Sequence, residues 1–384
     1  MLGYQSTINN FLLNLSSHES KYKNLKISKG AFSKARRKIS YSIIEKINRA
    51  YVHNKKNQQR LWNGLKVFAI DGSKITMPDS QELNEKFGKP SNKNGTKAYL
   101  PQATLVTALD VFSNYISEIE IDSYDTSEQE LAIKLLPRIE KGSLIINDRL
   151  YGSRAMFFKC EENGIYYLSR MKTTGGGLKE VCKFAKSKDA TTLIEVEHPE
   201  DNIRKIKIRL IKGAADKHGN RIVLATNLFN KKLYHSKELI ALYKLRWEIE
   251  TFFGRIKNLV NIEKFHSKNF NGIMQELYAS LLLFNATAKL IKLTYKIKSM
   301  VGFKKVSWEC ALNAVGRNIG SFIVMKLLKN NIVEPLILVM INEVYSSKYN
   351  FQGNRHYPRF SKQPQDFWTR SSTRTAAKAI FGLK

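Results

Sequence analysis

A chain of 384 residues with 43% apolar side chains can bury the core of one large or two to three ordinary domains, which excludes a fibrous or disordered polypeptide. Its 64 Lys and Arg against 33 Asp and Glu leave a formal net charge of +31, far beyond what solubility requires, so the expected partner is a polyanion. Anionic membrane is the competing surface, but the greasiest stretch, "LYASLLLFNATAKLI", is too short to span a bilayer and carries Asn285. The opening "MLGYQSTINN" lacks a basic region followed by an apolar one, so no secretory leader is expected. Cys160, Cys182 and Cys310 share no close spacing, which argues against a disulfide framework or zinc site and fits a reducing, cytoplasmic compartment. The histidines form no H-x-x-x-H pair, and no G-x-S-x-G context exists for a hydrolase serine.

Residues 1–64 read as a helical domain, with apolar residues at helical spacing in "INNFLLNL" and "YSIIEKINRAYV" around the basic segment "ISKGAFSKARRKIS". Ser28 is placed to cap a helix through Arg36, Arg37 and Lys38, which either faces DNA or forms a solvated basic face. From residue 66 the period changes. "KVFAI" reads as a buried strand ending at Asp71-Gly72-Ser73, followed by the loop "FGKPSNKNGTK", whose lysines are further candidate DNA contacts. "QATLVTALDVF" and "YISEIEID" predict a hairpin turning at Ser113-Asn114, "SEQELAIKLLPRI" a helix from Ser127, and "SLIIND" a strand ending at Asp148. With the helix "SRAMFFKCEEN" and the strand "IYYLSR", this order predicts a mixed α/β fold with helices on the faces of its sheet. Residues 172–233 interrupt it as a separate small β unit. One long helix is expected over "SKELIALYKLRWEIETFFGRIKNLV", so that 65–171 and 234–271 form the main α/β domain. A helical region over 272–346 and a basic, aperiodic, mobile tail over 347–384 complete the chain.

Asp71 and Asp148 each end a strand of the expected interior sheet. A carboxylate there is costly unless it is paired or binds a metal, although each alone also reads as a turn or helix-cap aspartate. At about 100° per residue, Tyr243, Arg246, Glu250 and Lys257 form one stripe on the long helix, beside an apolar face of Leu245, Ile249, Phe252, Ile256 and Leu259. Glu248 falls off that stripe. Helical geometry by itself favours a surface helix with an Arg246/Glu250 pair worth about 0.2–0.5 kcal/mol. Three carboxylates brought together by sheet and helix would instead suit Mg²⁺, and two such ions support phosphodiester cleavage. Arg246, Lys257 and the Tyr243 phenol beside them suit a phosphate backbone.

These residues resemble the DDE transposases of bacterial insertion sequences, of the insertion-sequence-four kind. "DGSKITMPD" is similar to that family's first-aspartate motif, "NDRLYGS" to its second, and "YKLRWEIETFFGRIK" matches its Tyr-x2-Arg-x3-Glu-x6-Lys signature at every spacing. "EKFHSKNFNGIMQELYASLLLFN" is also similar to the segment that follows. The resemblance implies a ribonuclease-H-like catalytic domain interrupted by a β-rich insertion. It makes Asp71, Asp148 and Glu250 the catalytic and metal-binding triad for two Mg²⁺ ions, with Mn²⁺ as a substitute. Tyr243, Arg246 and Lys257 become contacts to transposon-end DNA, joined by Arg36, Arg37, Lys38 and Arg170 on charge and position. It further implies double-stranded DNA partners, a homodimer in a synaptic complex and a location at the bacterial nucleoid. Two departures stand out. Leu150 occupies a position where many members have glycine, and the insertion has no tryptophan to stack on a flipped base, leaving Phe184, Phe229 or Tyr234 for that task. A nuclease without strand transfer and a decayed DNA-binding protein are the rival readings.

Overall fold

The computed structural model describes residues 24, 26–54, 61–201, 203–215, 221–300, 304–327 and 333–350, so the expectations for "INNFLLNL" and for the tail beyond 350 lie outside the described residues. The described residues divide into two compact units, one within 52–257 and one in which residues up to 51 join those of 258–350.

The first unit is organised by an eight-stranded sheet. Strands β1 (Val67–Thr76), β2 (Gln102–Asp110) and β3 (Tyr115–Ser123) form an antiparallel meander, and β4 (Leu144–Asn147) and β5 (Tyr166–Arg170) follow in parallel with β1. The spatial order is β3-β2-β1-β4-β5, continued by β8 (Arg221–Thr226), β7 (Lys205–Ala215) and β6 (Thr191–Glu197). A meander followed by parallel strands in this order is the ribonuclease-H-like arrangement expected from the sequence. The β2–β3 turn is set by Asp110, whose carboxylate accepts from the Phe112 and Ser113 amides, and by Asn114 in left-handed backbone at φ 58°.

Alternation along the strands assigns Phe68, Ile70, Val106, Ala108, Ile145 and Tyr167 to one face. Helices α4 (Glu128–Leu135), α5 (Arg154–Glu162) and α6 (Lys179–Lys186) cover it with Leu131, Leu135, Met156, Phe157, Val181 and Phe184. Each such side chain, fully buried, contributes about 1.5–3 kcal/mol. Ser127 and Ser153 start α4 and α5 by accepting the Glu130 and Met156 amides. A short α3 (Gln81–Phe87), capped by Ser80, precedes the lysine-rich loop.

Three expectations need correction. The 172–233 strands are present, but they do not form a separate unit: β8 pairs antiparallel with β5 through Leu168–Arg170, extending the same sheet, and α6 lies within the segment. The edge of β5 offers open backbone groups, and β8 satisfies them. Asp71 is not the end of its strand, because β1 runs on to Thr76 with β2 as partner. The single long helix is broken into α7 (Ser236–Tyr243) and α8 (Trp247–Asn258) by a 3₁₀ turn over Lys244–Arg246. Arg209 of β7, 1% exposed, ties the insertion to this region by donating to the Leu228 and Tyr234 carbonyls and to Ser236 Oγ.

In the second unit, α1 (Lys29–Arg37) and α2 (Tyr41–Val52) meet α9 (Phe270–Ile297), which packs with α10 (Trp308–Leu327) and α11 (Val333–Ser346). Strands β9 (Lys304–Lys305) and β10 (Tyr349–Asn350) pair beside them. Ser28 caps α1 through the Ala31 amide, as expected. The greasy stretch of α9 is a core helix. Its Asn285 is fully buried and donates to Asn48 Oδ1 of α2 at 2.9 Å, and Tyr41 stacks on Tyr278 with ring centroids 6.2 Å apart. No described helix is long and apolar enough to cross a membrane.

Candidate active site

The pairing of β1 with β4 stops at Ile70 and Asn147, whereas β1 continues. Beyond that point β4 no longer flanks β1, and this is the carboxyl end of two parallel strands, the position where ligands bind in open α/β sheets. Asp71 is the first β1 residue past the last pair, and Asp148 the first past the end of β4. The Asp71 carboxylate accepts from the Gly72 amide at 3.0 Å, and that of Asp148 from the Leu150 amide at 2.7 Å. Leu150 needs no glycine backbone: positive φ at described non-glycine residues is confined to Asn63, Asn114, Asn261 and Ser299. Gly152 does need to be glycine, since a Cβ there would stand 2.7 Å from the Arg170 carbonyl oxygen.

The 3₁₀ turn and α8 approach β1 from the side opposite Ile70. Ile249, Phe252, Phe253 and Ile256 are buried, which seats the helix, while Trp247 is left exposed. Arg246 then reaches two of the three expected acids, with Nη2 at 2.6 Å from Glu250 Oε1 and Nη1 at 3.8 Å from Asp71 Oδ2. Lys257, two turns on, donates from Nζ to the Lys74 carbonyl oxygen of β1 at 2.7 Å. Tyr243 is only 8% exposed, and its hydroxyl finds no hydrogen bond of good geometry. Burial pushes that phenol up to about 12, opposed by the nearby Arg246 and Arg170 charges and reinforced by Asp148.

Burial also lifts the Asp71 carboxyl to about 6; the Gly72 amide and Arg246 hold it down, while the Asp148 and Glu128 charges raise it further. Glu128, the first residue of α4, was not among the acids singled out from sequence. Its carboxylate lies over Gly72, accepts from the buried Tyr151 hydroxyl at 3.1 Å, and is felt by Lys74. The acid in "SEQE" carried no distinctive signal, because a glutamate in a first helical turn is ordinary.

Asp71 thus feels the charges of both Asp148 and Glu128, and Arg246 joins Asp71 to Glu250. Among the described residues, no three His, Cys, Asp or Glu side chains are grouped as a ready-made cage. Like charges do not converge without a cation, and the guanidinium takes that part between Asp71 and Glu250. The donors nonetheless suit a hard divalent ion. They are all carboxylate oxygens, and beside Asp71 the buried Thr107 Oγ1 of its cross-strand partner has no hydrogen bond.

Residues 62–286 match the family model described as a transposase DDE domain. The chain belongs to that family. This member is 27% identical over 155 residues to the putative transposase InsZ of Escherichia coli strain K12, covering 40% of this chain and 52% of that protein. It is 24% identical over 250 residues to the transposase InsG for insertion sequence element IS4 of the same strain, covering 62% of this chain and 55% of InsG. It is 29% identical over 190 residues to the putative transposase y4zB of Sinorhizobium fredii strain NBRC 101917 / NGR234, covering 46% of this chain and 51% of y4zB. The chain therefore spans about half the length of the curated relatives it matches. A cryo-EM structure of the piggyBac transposase synaptic complex with hairpin DNA aligns at TM-score 0.42 and 11% identity, over 80% of this chain and 61% of that one.

The remaining candidates of this DDE-family chain divide by burial. Arg36 is turned inward, donating to Gln275 Oε1, the Gly272 carbonyl and Glu276 Oε1, because α1 lies beside the start of α9; Arg37 and Lys38 are exposed. Arg170 is exposed at the end of β5. Of the insertion's aromatics, Phe184 is 4% exposed in the core, Tyr234 stacks on Trp62, and Phe229 is 45% exposed. In the lysine-rich loop Lys89 pairs with Asp79, while Lys93 and Lys97 face solvent.

Proposed function

We propose that the protein is a DNA transposase that binds the terminal inverted repeats of its insertion sequence, cleaves the end phosphodiesters and joins the freed 3′-OH ends to target DNA. The observation that supports this most is the meeting of Asp71 and Asp148 at the open end of β1 and β4, with Arg246 linking Asp71 to Glu250 of the family signature. Asp71, Asp148 and Glu250 would hold two Mg²⁺ ions, or Mn²⁺. Bound there, divalent cations supply a lowered pKa for the attacking oxygen and charge neutralisation for the leaving one.

The chain's own residues do the rest. Arg246 exchanges Asp71 and Glu250 for a DNA phosphate, a stronger bidentate partner, and so releases both carboxylates toward the cations. Tyr243 offers its protonated hydroxyl to the same strand, and Lys257, anchored on β1, neutralises a neighbouring phosphate. In the first step a water oxygen forms a bond to phosphorus and the 3′ oxygen leaves as a hydroxyl. In the second, that 3′-OH attacks a target phosphodiester and a target 3′ oxygen leaves, so both steps are in-line displacements at one site. The DNA-facing role extends to Arg37 and Lys38 of the helical domain and to Arg170, and the catalytically competent form is a homodimer acting on chromosomal DNA inside the bacterial cell.

Cleavage of a labelled duplex bearing the element's end, flanked by host sequence, tests the reading. Asp148→Ala should retain end binding and lose cleavage in Mg²⁺; undiminished cleavage would remove Asp148 from the centre. Lys257→Ala should weaken binding and reduce the slope of log affinity against log salt by about one unit, checked by titration at several ionic strengths. An unchanged slope would return Lys257 to a purely structural contact with β1.

A further inference from the structure

Helix α1 carries Lys29, Ser33 and Arg37 at four-residue spacing, on one stripe of its surface. That stripe and the segment 266–271, which leads into α9 and brings Lys268, line a cavity of about 620 Å³, within the size usual for ligand sites. Among the described residues, no Asp or Glu lines it. The cavity lies wholly in the helical unit and shares no residue with the carboxylate centre.

Its walls are fixed by hydrogen bonds. Arg36 donates to Gln275 Oε1 at 2.7 Å and to the Gly272 carbonyl at 2.9 Å, and Gln275 Nε2 donates in return to the Arg36 and Ile39 carbonyls. Asn271 holds the turn after α1, accepting the Tyr41 amide and donating to the Ile39 carbonyl. Ser267 packs on the bare Cα of Gly272, where a Cβ would collide with its Oγ. Glu276, the acid that these walls use, accepts from Arg36 at 2.8 Å and from the His266 and Ser267 amides at 2.8 and 3.1 Å, with His266 Nδ1 3.6 Å away. A carboxylate so engaged has little capacity left for another cation. Lys29, Arg37 and Lys268 are exposed and form no ion pair with a described residue.

Uncompensated cations around one cavity repel one another, and a bound anion relieves that repulsion. A guanidinium fork, ammonium groups and the Ser33 hydroxyl are donors that suit phosphate oxygens. We propose that this cavity is a phosphodiester-binding pocket, in which Arg37 from α1 and Lys268 from the approach to α9 grip one backbone phosphate of DNA. Lys29, about 12 Å along α1 from Arg37, meets a further phosphate of the same duplex. Such contacts fix the register of the DNA and carry no base information. The pocket rests on the DNA-binding reading above and deepens it, adding Lys29 and Lys268 and giving Arg37 a defined ligand.

The test is binding of the full chain to an end-bearing duplex, followed by fluorescence anisotropy in chelator at one salt concentration, so that no cleavage is required. Arg37→Ala and Lys268→Ala should each weaken binding about tenfold. Because the two share one phosphate, the double variant should lose much less than the product of the single losses. Both side chains are exposed, so neither substitution should lower the melting temperature. Lys296→Ala removes an equal charge near the far end of α9, about 40 Å along that helix, and should change affinity less than about twofold. Losses as large for Lys296→Ala, or losses that multiply in the double variant, would mean diffuse attraction by net charge and overturn the pocket while the transposase reading stands. Unchanged DNA binding in both pocket variants would overturn it too, and loss of inorganic phosphate binding in those variants, followed by calorimetry, would then assign the cavity to a free anion. If the wild-type chain has no affinity for the duplex, the pocket and the DNA-binding reading fall together.

Discussion

Asp71→Asn is expected to stabilise the metal-free protein by about 3 kcal/mol at pH 7 and to abolish cleavage of end DNA. The sign follows from the folded-state carboxyl, raised from 3.8 to about 6 mainly by burial. Between those values the folded protein keeps a proton that the unfolded chain has released, so stability falls as pH rises from about 4 to about 6, and the full penalty persists above. Below pH 4 both states are protonated and the substitution should be neutral. Asparagine keeps an oxygen for the Gly72 amide and no charge for Asp148 or Glu128 to repel. Urea denaturation of both proteins in chelator, at several pH values from 4 to 7.5, checks this; a destabilised variant, or a gain that does not grow with pH, would contradict it. In Mg²⁺ the comparison should narrow, because the wild type gains an ion that the variant does not hold.

Arg246→Ala should move two affinities in opposite directions. The guanidinium is 16% exposed and reaches Glu250 at 2.6 Å and Asp71 at 3.8 Å. Removing it takes away a charge-assisted phosphate contact worth about 1.5–3 kcal/mol, roughly a tenfold to hundredfold loss of end-DNA affinity. It also removes the internal cation that competes for the two carboxylates. Glu250 is 35% exposed, so solvent weakens that competition, and the relief should be near 1.4 kcal/mol, about a tenfold gain in Mn²⁺ affinity without DNA. Arg246→Lys should fall between, keeping the charge but not the two-pronged reach. Parallel losses of both affinities would mean that Arg246 supports the site structurally instead of exchanging partners.

The motifs were legible because chemistry and spacing coincide in them: Asp71 after a β-branched run, Asp148 after "SLIIN", and Glu250 four residues from Arg246. What surrounded them was less so. The break at Lys244–Arg246 leaves the apolar period nearly intact, since a 3₁₀ turn shifts the register by only a fraction of a turn. The merger of residues 191–226 with the main sheet depends on β5 meeting β8, a pairing between segments distant in sequence that local pattern does not encode. Arg36 read as a DNA contact because three successive cations look alike in a string; its inward turn depends on Gln275 and Glu276, far along the chain. Glu128 was hidden by its ordinariness, and only the bare Cα of Gly72 beneath it distinguishes it from any other helix-starting glutamate.

The helical unit draws on both ends of the described sequence. Helix α1 is fastened to the first turn of α9 by Arg36, Gln275 and Glu276, and α2 to its middle by Asn48 and Asn285. During synthesis, α1 and α2 emerge before residues 270–297, the helix to which Arg36 and Asn48 bond. A product ending before α9 would contain the whole sheet and its carboxylates yet leave its first two helices without their seat. A shortened copy of that kind would keep Asp71, Asp148 and Glu250 on their sheet and helix while losing the helix to which α1 and α2 are fastened.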